Sequence, residues 1–108
     1  MTKFLKTNYN QTIAYNKIDG EKLGIVFLSG LKSDMTGQKA VALEEWAVEN
    51  NHSFLRFDYS GHGISSGKFN DFVISDWILD AKTIINKLTK GPQILCLLYT
   101  SDAADDLV

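Results

Sequence analysis

The chain has 108 residues, 44% of them hydrophobic and 22% charged, which suits a single globular domain. A formal charge of -2 with scattered lysines argues against a cationic stripe for nucleic acid or a basic membrane face. No apolar run approaches the ~20 residues of a spanning helix, so neither nucleic acid nor a membrane span is expected.

The start, Met1 to Asn8, lacks an apolar leader and a small-residue cleavage site, and a cytoplasmic protein is expected. Thr12 to Ile18 alternates briefly and ends at the turn pair Asp19-Gly20, as hairpin strands do. Leu23 to Leu28 is continuously apolar and β-branched, the pattern of a central strand covered on both faces. It stops at Ser29-Gly30. Asp34 or Thr36 is expected to cap a helix running to about Asn50, with Ala40, Leu43, Trp46 and Ala47 on its apolar face. Val41 and Val48 widen that face, while Glu44, Glu45 and Glu49 mark the solvent side.

Ser53 to Phe57 predicts a second buried strand, ending at Asp58, and a glycine-rich loop from Ser60 to Gly67 follows. Ser75 or Asp76 is expected to cap a second helix, with Trp77, Ile78, Ala81, Ile84, Ile85 and Leu88 on one face and Gly91-Pro92 as its stop. Gln93-Ile94-Leu95 opens a third buried strand. Strands alternating with helices imply a parallel sheet, with an antiparallel edge from the hairpin strands at the start.

Ligands in such sheets bind beyond the carboxyl ends of the strands. Two ends carry unusual residues. At Phe27-Leu28-Ser29-Gly30-Leu31 a buried strand ends in glycine, and the Leu31 backbone N–H is placed to hold a developing oxyanion. On that segment alone, a plain strand-to-helix turn is the better reading. At Arg56 to Ser65, Gly61-His62-Gly63-Ile64-Ser65-Ser66-Gly67 offers a second reading as a nucleotide-binding glycine loop. Its spacing is G-x-G-x-x-x-G, however, and Phe69 to Ser75 separate it from the next helix, which removes the helix N-terminus a phosphate needs.

The run Asp58-Tyr59-Ser60-Gly61-His62-Gly63-Ile64-Ser65 after a buried strand resembles the loop following the fourth strand in the α/β-hydrolase superfamily. Leu28-Ser29-Gly30-Leu31 falls where that family carries an H-G-x oxyanion segment, with Ser29 in place of the common histidine. The segments Leu31 to Ala40, Arg56 to Gly61 and Gly91 to Leu95 are similar to the subfamily of the mitochondrial α/β-hydrolase-domain protein ten and its bacterial relatives. The resemblance implies the N-terminal part of an α/β-hydrolase fold, a mixed and mostly parallel sheet with flanking helices, over residues 1–95. It implies a serine hydrolase acting on small-molecule or acylated-protein esters and thioesters through an acyl-enzyme. Leu31 would give one half of the oxyanion hole, with no cofactor and no metal. The nucleophile would stand just beyond Leu95, and the acid and base much further on.

A small-residue G-x-S-x-G elbow should therefore follow Leu95. Instead, every residue from Cys96 to Asp106 resembles the conceptual translation of a transposase-type sequencing adapter. Residues 96–108 are expected to be a non-native tail, and the chain as it stands to be inactive and to fold poorly alone, its third strand left as a sheet edge with an exposed apolar row. Without Asp102, Asp105 and Asp106 the remainder is close to neutral. Cys96, the only cysteine, excludes an internal disulfide. Neither Cys96 nor Ser101 has the flanking glycines of a strained elbow, and neither is assigned a catalytic role. His62 is expected to make local hydrogen bonds, Asp58 to anchor its loop, and His52 to serve structure at a helix end. A small nucleotide-binding module of Rossmann type, or a non-catalytic binding domain, remains the alternative.

Overall fold

The computed structural model describes residues 1–97. Strands β1 (Lys3–Lys6), β2 (Thr12–Ile18) and β3 (Lys22–Leu28) precede helix α1 (Gln38–Glu49); β4 (His52–Phe57), helix α2 (Ile74–Leu88) and β5 (Gln93–Leu97) follow. One sheet of order β1-β2-β4-β3-β5 holds all five strands. β4 and β5 flank β3 in parallel, whereas β2 runs antiparallel to both β1 and β4. The mixed sheet with an antiparallel edge is the architecture expected from the alternation of elements.

The continuous apolar run of β3 is explained by its two covered faces. Ile25 and Phe27 pack with Phe54 against Ala40 and Ala47 of α1. Val26 and Leu28 pack with Leu55 and Phe57 against Trp77 and Ile84 of α2. Side chains alternate across a strand, so each face receives every second residue. The parallel strands align their carboxyl ends at Leu28 and Phe57, which are paired in register. Both loops of interest leave from there.

Local details differ from the sequence expectations. α1 starts at Gln38 after an extended Gly37 with no side-chain cap. The Asp34 carboxylate instead accepts the Thr36 N–H at 2.8 Å, closing a turn ahead of the helix. α2 starts at Ile74, and Asp76 acts from inside its first turn, accepting the Val73 N–H at 2.8 Å. Val41 and Val48 are exposed, because α1 touches the sheet along a narrow strip centred on its alanines. Glu44 is not on the solvent side: it is half-buried and paired with Arg56 of β4, which also donates to the Met35 carbonyl at 2.6 Å. β5, by contrast, stands as expected at the sheet edge with its apolar row exposed. Ile94, Leu95 and Leu97 are 47, 53 and 61% exposed, since β3 is its only partner among the described residues.

Candidate active site

A cavity of about 480 Å³ opens at the carboxyl end of β3, lined by Leu28, Ser29, Gly30, Leu31, Tyr59, Trp77 and residues of α2 and β5. A second cavity, of about 520 Å³, lies at the other ends of the strands beside Gly20, Ser53 and Gln93, and holds none of the candidate residues. In open α/β sheets the carboxyl ends bind ligands, which favours the first.

Leu31 stands at the rim of that cavity, 40% exposed. Its flanking peptides are both tied down. The Gly30 carbonyl accepts the Ser33 N–H at 3.0 Å, and the Lys32 N–H donates to His62 Nε2 at 3.0 Å. Among the described residues no acceptor takes the Leu31 N–H itself. Beside it, Ser29 is 4% exposed, and its hydroxyl has no partner among the described residues.

The glycine loop is built around a carboxylate. Asp58, 1% exposed, accepts the Met35 N–H at 2.8 Å through one oxygen and the Ile64 N–H at 3.1 Å through the other. Burial pushes its carboxyl above the usual range, while those two amides pull it back down. Gly63 has φ +48°, and a Cβ there would sit 2.1 Å from the carboxylate. A loop that wraps so closely around an acidic group is a poor cradle for a phosphate. The loop is also sewn to β2: Ser66 exchanges hydrogen bonds with Thr12, and the Ser65 hydroxyl bridges the Ala14 N–H and the Asp58 carbonyl. Asp58 thus has the anchoring geometry expected of it, with no histidine donating to its carboxylate among the described residues.

His62 is 4% exposed, with Nδ1 3.1 Å from the Ser60 carbonyl and its ring edge-on to Tyr59, Phe69 and Trp77. His52 is remote from it, at the opposite end of β4, where Nδ1 meets the Leu23 carbonyl at 2.7 Å and the ring stacks on Trp46. Cys96 lies within β5 opposite Phe27 and packs toward the α1 side of the sheet. Ser101, with the rest of the suspected tail after Leu97, lies outside the described residues.

Asp80 is the site residue that sequence reasoning missed. It is fully buried on α2, where it accepts the Ser60 N–H at 2.7 Å, the Ser60 hydroxyl at 3.1 Å and the Tyr9 hydroxyl at 2.6 Å. It therefore ties the glycine loop to both a helix and the turn after β1. Its neighbours in sequence carry no sign of this, although its position three residues after Trp77 places it beside the apolar face.

No protein-family model matches the chain. The mitochondrial palmitoyl-protein thioesterase ABHD10 of Rattus norvegicus is 41% identical over 92 residues, which is 85% of this chain and 31% of that protein. The solved structure of mouse α/β hydrolase domain-containing protein 10 matches with a TM-score of 0.86 at 38% identity, covering 90% of this chain and 39% of the other. An Agrobacterium vitis S4 structure matches with a TM-score of 0.80 at 31% identity, covering 88% of this chain and 39% of the other. The chain thus spans about a third of the length of the curated relatives it matches.

These relatives correct one expectation. The curated proteins are mitochondrial, not cytoplasmic. An apolar leader is a signal for secretion, and reading for one does not choose among internal compartments. The chain is a homologue of the ABHD10 palmitoyl-protein thioesterases and carries the N-terminal portion of an α/β-hydrolase fold.

Proposed function

We propose that residues 1–95 are the N-terminal portion of a serine hydrolase that cleaves carboxylic esters or thioesters, acylated proteins among them, through an acyl-enzyme. The observation that carries this reading is the 41% identity over 92 residues to a palmitoyl-protein thioesterase. In this reading the Leu31 N–H is one oxyanion donor. The other donor, the nucleophile, the acid and the base belong to sequence beyond Leu95. Residues 96–108 are a non-native tail. The geometry that supports the role of Leu31 is its place at the cavity rim, with both neighbouring peptides fixed by hydrogen bonds. Preorganised donors of this kind stabilise a developing oxyanion because they need no reorganisation during the reaction.

A triad acts as a unit, and without it only residual binding effects remain. The 108-residue chain is therefore inactive. Purified chain mixed with p-nitrophenyl esters and an acyl thioester is expected to match the buffer blank. Turnover that disappears on Cys96→Ala or Ser101→Ala would overturn that expectation. Resequencing the locus beyond the codon for Leu95 tests the parent reading. A frame continuing into a G-x-S-x-G elbow supports it; a native stop after the present tail sinks it.

A further inference from the structure

An oxyanion donor is useful only if its N–H is aimed before charge develops. Around Leu31 the aim is set by two peptide planes. The Gly30 carbonyl accepts the Ser33 N–H at 3.0 Å, and no peptide bond among the described residues is cis. The N–H of a trans peptide points opposite to its carbonyl, so the Leu31 N–H is turned away from Ser33. The next plane is held through the Lys32 N–H, which donates to His62 Nε2 at 3.0 Å. Lys32 has φ +64°, a left-handed conformation that a residue with a Cβ keeps only when its surroundings enforce it.

His62 is itself held in one state. Nδ1 faces the Ser60 carbonyl, which only accepts, and Nε2 faces a backbone N–H, which only donates. One form of the ring satisfies both partners: neutral, with its proton on Nδ1. The ring has little room to turn, edge-packed with centroids 5.8 Å from Tyr59, 5.2 Å from Phe69 and 5.3 Å from Trp77. The Ser60 carbonyl is fixed in turn, since it also accepts the Trp77 indole N–H at 2.9 Å.

We infer that His62 is a positioning residue for the Leu31 N–H. Its Nδ1–H tautomer, set by Ser60, receives the Lys32 N–H and keeps Lys32 left-handed, the conformation in which the Ser33 N–H reaches back to the Gly30 carbonyl and so fixes the peptide plane that carries the Leu31 N–H. The purpose of this device rests on the proposed oxyanion role of Leu31; its geometry does not.

Nitrogen-15 NMR of the labelled 108-residue chain tests it. Nδ1 is expected to be protonated and Nε2 bare, with scalar coupling across the hydrogen bond from the Lys32 amide. His62→Phe keeps an aromatic ring among Tyr59, Phe69 and Trp77 but removes the acceptor. Lys32 amide exchange should then rise about tenfold, the worth of one ordinary hydrogen bond, and the Leu31 amide resonance should move. Adding Lys32→Gly should bring the Leu31 resonance back, because glycine takes the left-handed region without steric cost. A ring that merely fills space would be replaced by phenylalanine with neither change. Protonated Nε2, or unmoved Lys32 and Leu31 amides in His62→Phe, overturns the inference. The ring measurement on the wild-type chain decides the matter even if the variant does not fold. Ester turnover bears on the acyl chemistry alone and the ring state on His62 alone, so either can fail without the other.

Discussion

Asp58 and Asp80 are buried carboxylates of the site region with no cationic side chain bonded to either among the described residues, and amides and hydroxyls hydrogen-bond to them instead. Asparagine at position 58 could accept from one of the Met35 and Ile64 amides but would turn an NH₂ toward the other. Asp58→Asn should therefore lower the unfolding free energy by about 2 kcal/mol at pH 7, read from urea denaturation. An unchanged midpoint would mean that the loop does not depend on this anchor. Tyr9 offers a pH test of the second carboxylate. Burial, then its hydrogen bond to Asp80, raises its hydroxyl from 10.0 to about 12. The unfolded phenol releases its proton near 10 while the folded one keeps it to about 12. Between those values the folded state binds more protons, so stability falls as pH rises through that window. Tyr9→Phe has no such proton to lose. It should be less stable at pH 7 by roughly 1.5–3 kcal/mol, the worth of a hydrogen bond to a charged group, yet its urea midpoint should fall less steeply above pH 10. Parallel pH profiles for the two proteins would refute this.

At the scale of elements, the strands were legible because β3 ends in the continuous apolar run Ile25 to Leu28 and β4 carries Phe54, Leu55 and Phe57 on both of its faces, and a strand covered on both faces announces itself. The glycine loop was legible for a related reason: Gly61 and Gly63 adopt positive φ, where few other residues would stand. Helix boundaries were not. Asp34 and Ser75 are residue types that cap helices, but whether a side chain reaches the right amide depends on where the chain turns. Asp80 was invisible because its partners Ser60 and Tyr9 are 20 and 71 residues away in sequence. β5 was legible as a strand, and its exposure is that expected of an apolar strand left at a sheet edge. Its outer edge is unpaired among the described residues, and its apolar side chains invite pairing with another chain. Leu95→Lys should raise the monomer fraction in sedimentation velocity while costing little in stability, since Leu95 is already 53% exposed. A wild-type chain that is monomeric at the same concentration would remove the basis for this expectation.

The whole molecule consists of two unequal layers on one sheet. On the α2 side eight buried residues form the core among the described ones, and Tyr9, Ser60 and Trp77 add hydrogen bonds that cross between elements. On the α1 side five buried residues suffice among the described ones, two of them alanines, and the helix has no side-chain cap at its N-terminus. Apolar area scales with stabilisation, and an alanine removes little area from water. Beyond β3 the sheet offers α1 only a half-exposed edge strand against which to extend. Opening free energies within one domain follow such differences in packing. Amides of α1 should therefore exchange through a partial opening that leaves α2 and the Asp80 network intact. Native-state hydrogen exchange over increasing urea is the measurement. Two isotherms, the α1 amides merging with the α2 amides only near the global transition, are expected. A single shared isotherm would show the layers to be one cooperative unit. The outcome bears on the site, because the glycine loop and His62 are fastened to the α2 layer. The Lys32 N–H draws its support from that layer too, and the direction of the Leu31 N–H should survive the opening of α1.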